Sequence, residues 1–243
     1  LNIPFTKKFL YIQKLKKLLN TYLKGIEREM VDGLVHPSYS LNRVDTYRSS
    51  ASMPSFQNIP VRKPEFAKLI RQCYIPRDDH VLVETDYSGI EVRVSACYNK
   101  DPVLIEYIND KTKDMHRDMA AQCYILETKD VGKQPRYCAK NMFVFPQFYG
   151  DYYIDCAIHL YEAIGRLSLV NGEGVSLRVH LEKQGILELG RCDPKQRPRT
   201  GTFEAHIKAV EEDFWGRRFK VYNEWKNSWW REYLRTGGID FLT

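Results

Sequence analysis

Helical periodicity opens the chain. Phe9, Leu10, Ile12, Leu15, Leu18, Leu19, Tyr22 and Leu23 recur at three- and four-residue spacing with lysines between them, which predicts an amphipathic helix ending at or just after Gly25. "VDGLVHPSY" comes next as a turn with short extended pieces. "TYRSSASMPSFQNIPVR" has two prolines and no sustained period, which predicts a long, mostly irregular segment of the kind that often carries function. In "CYIPRDDHVLVETD" a turn at Arg77-Asp78-Asp79 leads into alternation. Val81, Val83 and Thr85 fall on one side and Leu82, Glu84 and Asp86 on the other, as in a strand.

Helical patterns dominate the rest of the chain. Ile90, Val94 and Cys97 predict a helix face, and a second helix runs from Asp114 to Leu126. Pro135 suits the first position of a third, extending to about Pro146, and a fourth follows Gly150. Residues 165–203 are rich in Gly, Pro and charge, with "NGEG" and "RCDPKQRPRTG" as loops. Two helices, Phe203–Trp215 and Phe219–Leu234, close the pattern before "RTGGIDFLT", a turn entering a strand.

Composition narrows the class. With 243 residues, 43% of them apolar, and a net charge of +6, the chain reads as a globular protein of one large or two smaller domains. Its apolar runs are too short for a bilayer and its N-terminus lacks a signal-peptide layout, so the expected location is cytoplasmic, with no membrane partner. Six cysteines without C-x-x-C spacing read as reduced, mostly buried thiols. Lys7, Lys8, Lys14, Lys16, Lys17 and Lys24 all precede the first acidic residue, Glu27. That arm fits a phosphate-rich partner, and equally a solvated helix face.

Several positions have two readings. Asp86 at a strand end suits Mg²⁺, and also a turn or helix cap. Glu91 completes an S-x-x-E capping box with Ser88, which accounts for it without chemistry. Arg136 and Lys140 share one helix face with aromatic neighbours in "RYCAKNMFVFPQFYG". Cations for phosphates and a ring for a base suit a nucleotide, and a solvated basic face looks the same. His116 could add a phosphate contact or be an ordinary surface or core histidine.

Taken together, "TYRSSASMPSFQNIPVR", "ETDYSGIEVR", "DMHRDMAA" and "RYCAKNMFVFPQFYG" resemble, in order, the motifs of family A DNA polymerases, strongly over residues 10–150. The wording FVFP-x-FYG resembles a phage-type branch, for which the host cytoplasm is the implied location. The resemblance implies an α+β fold: a partial palm, a small antiparallel sheet with helices, plus a mainly helical fingers subdomain. It divides the chain into 1–110 (end of a thumb helix and first part of the palm), 111–225 (fingers, with extra length near 165–203) and 226–243 (helix end and a strand returning to the palm). It implies that Asp86 is the first catalytic aspartate, binding two Mg²⁺ ions with help from the Tyr87 carbonyl. Glu91 would be the gate against a 2′-hydroxyl. His116, Arg136 and Lys140 would meet the incoming dNTP. Arg48, Gln57 and Asn58 would lie near the primer terminus and minor groove of primer-template DNA, and Tyr149-Gly150 where the template base enters.

Three departures from the family pattern stand out. Gly89 stands where the family usually has Gln. The family's aromatic lies four residues after the lysine and its Tyr-Gly eight and nine after. Here position 144 is Val, and Tyr149-Gly150 come nine and ten after Lys140. Counting back from Tyr149 selects Phe145 for the nucleotide face; a regular helix from Lys140 selects Phe143. A π-bulge between Lys140 and Phe145, aided by the missing N–H of Pro146, would restore Phe145; unbroken α-helical bonding from 136 to 145 would favour Phe143. Finally, the family's second catalytic aspartate, in a His-Asp-Glu motif, has no counterpart. The expectation is half of a split or truncated DNA polymerase, poorly active or inactive alone and completed by a second polypeptide. Competing readings are an excised or cleaved piece, a non-catalytic DNA- or nucleotide-binding remnant, and a related single-subunit RNA polymerase, against which Glu91 and the Q-N-I-P segment argue.

Overall fold

An Asp-Gly pair makes the first hairpin. Asp32 (φ 51°) and Gly33 (φ 75°) both adopt positive φ, the requirement of a tight two-residue turn whose twist matches its strands. They join β1 (Met30–Val31) to β2 (Leu34–Val35), with Met30 opposite Val35. The computed structural model describes residues 3–44, 48–60, 64–87 and 89–237. Its contacts divide the chain into two units, Leu1–Asp86 and Tyr87–Thr243.

In the first unit the predicted amphipathic helix forms as α1 (Pro4–Lys17), a π-helical turn (Leu18–Leu23) and α2 (Lys24–Glu29), running past Gly25. None of the α1 side chains is buried. β3 (Ser38–Ser40) pairs antiparallel with β4 (Ser50–Ser52). The segment expected to be irregular therefore supplies a strand. With serines on one face and only Ala51 on the other, it escapes a search for apolar alternation, and it forms because its backbone finds a ladder partner. A 3₁₀ turn, Phe56–Asn58, and α3 (Pro64–Arg71) come after it.

The expected strand at 81–86 does not form. Residues 81–87 form no regular element and are exposed, with Val81 and Val83 each 80% accessible. Alternation marks a segment able to join a sheet, but a ladder needs a partner, and none of the described residues provides one. The strand expected in "GGIDFLT" lies outside the described residues.

The second unit is helical: α4 (Ile90–Asn99), α5 (Pro102–Asn109), α6 (Met115–Tyr124), α7 (Lys133–Ala139), a π-helical turn (Lys140–Val144), α8 (Phe145–Tyr149), α9 (Tyr153–Arg166), α10 (Leu177–Lys183), α11 (Phe203–Asp213), a further π turn (Phe214–Arg218) and α12 (Lys220–Thr236). One core joins them, built on fully buried Met119, Tyr124, Phe143, Leu160, Phe203 and Phe214. Asp101 shows how polar groups enter it. Its Oδ1 caps α5 by accepting from Val103 and Leu104 N–H (3.0 and 3.1 Å), and its Oδ2 accepts from Tyr222 N–H of α12 at 2.9 Å.

Three helix expectations need correcting. On α4 the predicted face is exposed at Ile90 and Val94, while Ala96 and Asn99 are buried and Val92 packs on the core. Packing against α5 and α12 selects this less apolar stripe, and Asn99 Oδ1 accepts Asp101 N–H at 2.7 Å. The third helix starts at Lys133, so Pro135 is its third residue, still where a missing N–H costs no helical bond. It also continues past Pro146, through the π turn, to Tyr149. The 165–203 region contains α10, whose Leu177 and Leu181 are buried between the two loops. Of the cysteines expected to be mostly buried, 123, 138 and 156 are, whereas 73 and 97 are exposed.

Candidate functional site

The site grows from the N-terminus of α6. Asp114 is its N-cap, accepting from the N–H groups of His116 (3.1 Å) and Arg117 (3.2 Å) through Oδ1. Its other oxygen accepts from Arg136 Nε of α7 at 2.6 Å. Burial pushes this carboxyl up, but the Arg136 hydrogen bond and the Arg117 N–H outweigh it and hold the group below its usual range. One acidic side chain thus caps one helix and orients a cation on another.

The π turn decides which aromatic joins that cation. Phe145 N–H donates to the Lys140 carbonyl five residues back, so a single extra residue is accommodated between them. Phe143 points into the core, fully buried, edge-on to Phe214 at 5.5 Å. Phe145 instead joins the face of the cations. Lys140 Nζ lies 5.2 Å from its ring centre, His116 meets it edge-on at 5.8 Å, and Tyr149 is next at 6.4 Å. The stripe reads Arg136, Lys140, Phe145, Tyr149, with steps of four, five and four.

His116 is held neutral. Burial, then Arg136 and Lys140, push its pKa down to about 4. Its Nδ1 is buried and meets no hydrogen-bond partner among the described residues. A neutral imidazole beside two cations can donate one hydrogen bond to an anion without adding charge.

Glu91 stands in the first turn of α4 and lines a cavity of about 80 Å³ with Ser95, Phe145, Phe148, Tyr149 and Tyr222. The structure therefore brings Glu91 to the aromatic end of the stripe. The expected capping box rests on Ser88, outside the described residues; the N-cap is Gly89, at φ 59° and ψ 49°. That left-handed conformation gives a backbone reason for glycine at this position. Gly150 (φ 94°) likewise closes α8.

Asp86 ends the exposed segment, and Tyr87 is 77% accessible. Nearby in sequence, Glu84 accepts from Arg71 at 3.1 Å. In the first unit Gln57 works on its own backbone: Oε1 accepts from Ala51 N–H (3.1 Å), and Nε2 donates to the carbonyl and hydroxyl of Ser49 (2.9 Å each). Asn58 donates to Ser55 Oγ at 3.0 Å and lines a cavity of about 310 Å³ with Tyr22, Met53 and Tyr74. Arg48 is exposed just before β4.

Residues 1–159 match the family model described as DNA polymerase family A. The chain belongs to this family. It is 36% identical over 126 residues to DNA polymerase I of Caldicellulosiruptor bescii, covering 51% of this chain and 15% of that protein. It is 30% identical over 199 residues to a thermostable DNA polymerase I of Thermus thermophilus, covering 77% of this chain and 23% of that one. The chain thus spans roughly a seventh to a quarter of the length of these family A relatives. The fold is similar to that of the POL domain of Pol1 from M. smegmatis, solved with DNA primer-template and dNTP, at a TM-score of 0.55 and 23% identity over 86% of this chain and 39% of that one. The mostly helical architecture with two small antiparallel sheets resembles part of that polymerase domain.

Family A DNA polymerases generally use Mg²⁺. The exposed carboxylate of Asp86 is the hard oxygen donor such an ion takes. Among the described residues, however, no group of three or more His, Cys, Asp or Glu side chains could hold a metal. No helix among the described residues is long and apolar enough to cross a membrane.

Sequence reasoning missed Asp114 as the holder of Arg136. The signal was present: an Asp directly before a periodic helical run is an N-cap pattern, and a cap has a second oxygen to offer.

Proposed function

We propose that the chain takes part in template-directed deoxynucleotidyl transfer to a primer 3′-hydroxyl. The stripe Arg136–Lys140–Phe145–Tyr149, with His116 and Glu91 beside it, carries the reading, because the π turn unites cations, ring and carboxylate on one face. Arg136 and Lys140 meet the triphosphate of the dNTP, and neutral His116 donates to one phosphate oxygen. Phe145 packs on the sugar and base. Glu91 occupies the space of a 2′-hydroxyl at the aromatic end. Tyr149 and Gly150 stand where the template base enters, and Arg48, Gln57 and Asn58 face the primer-template duplex. Residues 1–110 serve as thumb end and first part of the palm, 111–225 as fingers and 226–243 as the return to the palm.

Asp86 and the Tyr87 carbonyl would hold Mg²⁺. When bound, the two ions supply Lewis-acid stabilisation of the primer hydroxyl and of the departing pyrophosphate. Phosphoryl transfer on paired ions needs a second carboxylate beside Asp86, and we assign it to a further polypeptide segment.

Primer extension tests the reading, with the chain alone and mixed with a polypeptide carrying the second aspartate motif of a family A relative. Extension in the mixture alone is the expected result. A mixture that extends primers equally well with Asp86→Ala would remove the catalytic assignment. Nucleotide or DNA binding without any extension would favour a non-catalytic remnant.

A further inference from the structure

Gln147 is a polar side chain sealed in an apolar core, 1% accessible. Both polar atoms of its amide are engaged. Oε1 accepts from Trp215 Nε1 at 2.6 Å; Nε2 donates to Glu211 Oε1 at 2.6 Å and lies 3.6 Å from Cys156 Sγ. These partners come from the π turn after α11, from α11 itself and from α9. Lys226 of α12 sits 3.8 Å over the Trp215 ring, completing the cluster. Buried amides without partners are costly, and buried amides with all partners specify one arrangement.

Its place on the helix gives the cluster a further meaning. Gln147 lies two residues from Phe145 and two from Tyr149, so at about 100° per residue it faces away from both. A π turn carries one residue more than an α-helix accommodates, and moving that excess along the chain would rotate α8 by roughly 100° about its axis. Rotation would pull Gln147 from Trp215 and Glu211 and carry Phe145 off the face of Lys140 and His116. We infer that Gln147 is a positioning residue: its bonds to Glu211 and Trp215 fix the register of the π turn, and so hold Phe145 and Tyr149 on the nucleotide face. It touches no substrate. This rests on the polymerase reading only for what the face binds; the register lock itself does not depend on it.

Two variants test it in the reconstituted mixture. Gln147→Leu keeps the volume and removes the bonds. The exchanged pair Gln147→Glu with Glu211→Gln keeps them, because the carboxylate at 147 accepts from Trp215 and from the amide at 211. Expected for Gln147→Leu is a rise in the KM for dNTP of roughly tenfold, the scale of one lost buried hydrogen bond. Hydrogen exchange should also speed up at amides 141–149 while α9 and α11 stay protected. The exchanged pair should restore both readouts to within about threefold. A lower melting temperature with unchanged KM and unchanged exchange at 141–149 would overturn the inference, leaving Gln147 as core packing. A folded exchanged pair that behaves like Gln147→Leu would overturn it too, and decides the matter if Gln147→Leu does not fold. If the unmodified mixture binds no dNTP, the polymerase reading fails, and the exchange pattern alone still decides the register lock.

Discussion

Helix Lys133–Tyr149 and segment 75–87 carry the two most informative motifs, and they are finished to different degrees. The helix, with its π turn, is closed by its own unit: Phe143 and Gln147 are buried beneath it and Asp114 holds Arg136 above. The segment ending in Asp86 has no ladder among the described residues, and its valines face solvent. A helix satisfies its backbone from within, so packing on one side completes it. An extended segment satisfies its backbone only through a neighbour. A functional motif on a helix can therefore be preorganised by packing on one side, whereas one on an unpaired segment cannot.

The sharpest way to break this comparison is Asp86→Ala. Extension by the complemented protein should fall by about a thousandfold or more, the scale of other groups that stabilise transferring phosphoryl charge. Stability should change by less than about 0.5 kcal/mol, because the side chain is exposed. Urea denaturation showing a larger loss would mean the segment is packed after all.

Next come Phe143 within the π turn and Phe145 just after it. Phe143→Ala should cost about 3–5 kcal/mol, as for a fully buried ring, whereas Phe145→Ala should cost about 1–2 kcal/mol. Only the second should weaken dNTP affinity in a folded protein. Equal costs in calorimetry, or the reverse order, would contradict the register of the π turn.

Asp114 separates capping from cation-holding. Asp114→Ala should destabilise by about 0.5–2 kcal/mol through the lost cap. Asp114→Asn keeps a capping oxygen while removing the charge, so it should retain most stability and still raise the KM for dNTP. Identical kinetics for Asp114→Asn and the parent would show that Arg136 needs no holder.

The smallest effect concerns pH. His116 has a folded pKa of about 4, below the ordinary value of 6.5. Its neutral form contributes stability above pH 6.5, and that contribution is lost as pH falls from about 6.5 toward 4. Burial lowers His206 as well, and its ring bonds the Gln122 carbonyl at 3.0 Å, so both histidines shape this window. His116→Gln should flatten part of the stability loss between pH 6.5 and 4. A denaturation series with unchanged slope would remove His116 from it.

Most helices were legible because a 3.6-residue apolar period needs only local sequence, and Asp, Gly and Pro mark their ends. The strand at Ser50–Ser52 was illegible because its stability lies in Ser38–Ser40 and Gln57, not in its own side chains. The buried face of α4 was misread because packing on α5 and α12 outweighed a slightly more apolar stripe. For the site, residue types and order were plain, and the off-by-one spacing after Lys140 already required an extra residue somewhere. The cap at Asp114 was legible, but its pairing with Arg136 22 residues away and that of Glu211 with Gln147 64 residues away were not.

Local chemistry along the chain is enough to establish membership of family A, the helical series and the one-residue excess after Lys140, because motifs, caps and periodicity are written in consecutive residues. Tertiary structure alone decided that Phe145 faces outward, that His116 is neutral, that Asp114 orients Arg136 and that 81–86 stays unpaired. Each of those depends on burial or on a hydrogen-bond partner brought from elsewhere in the chain, and neither quantity exists until the chain has folded.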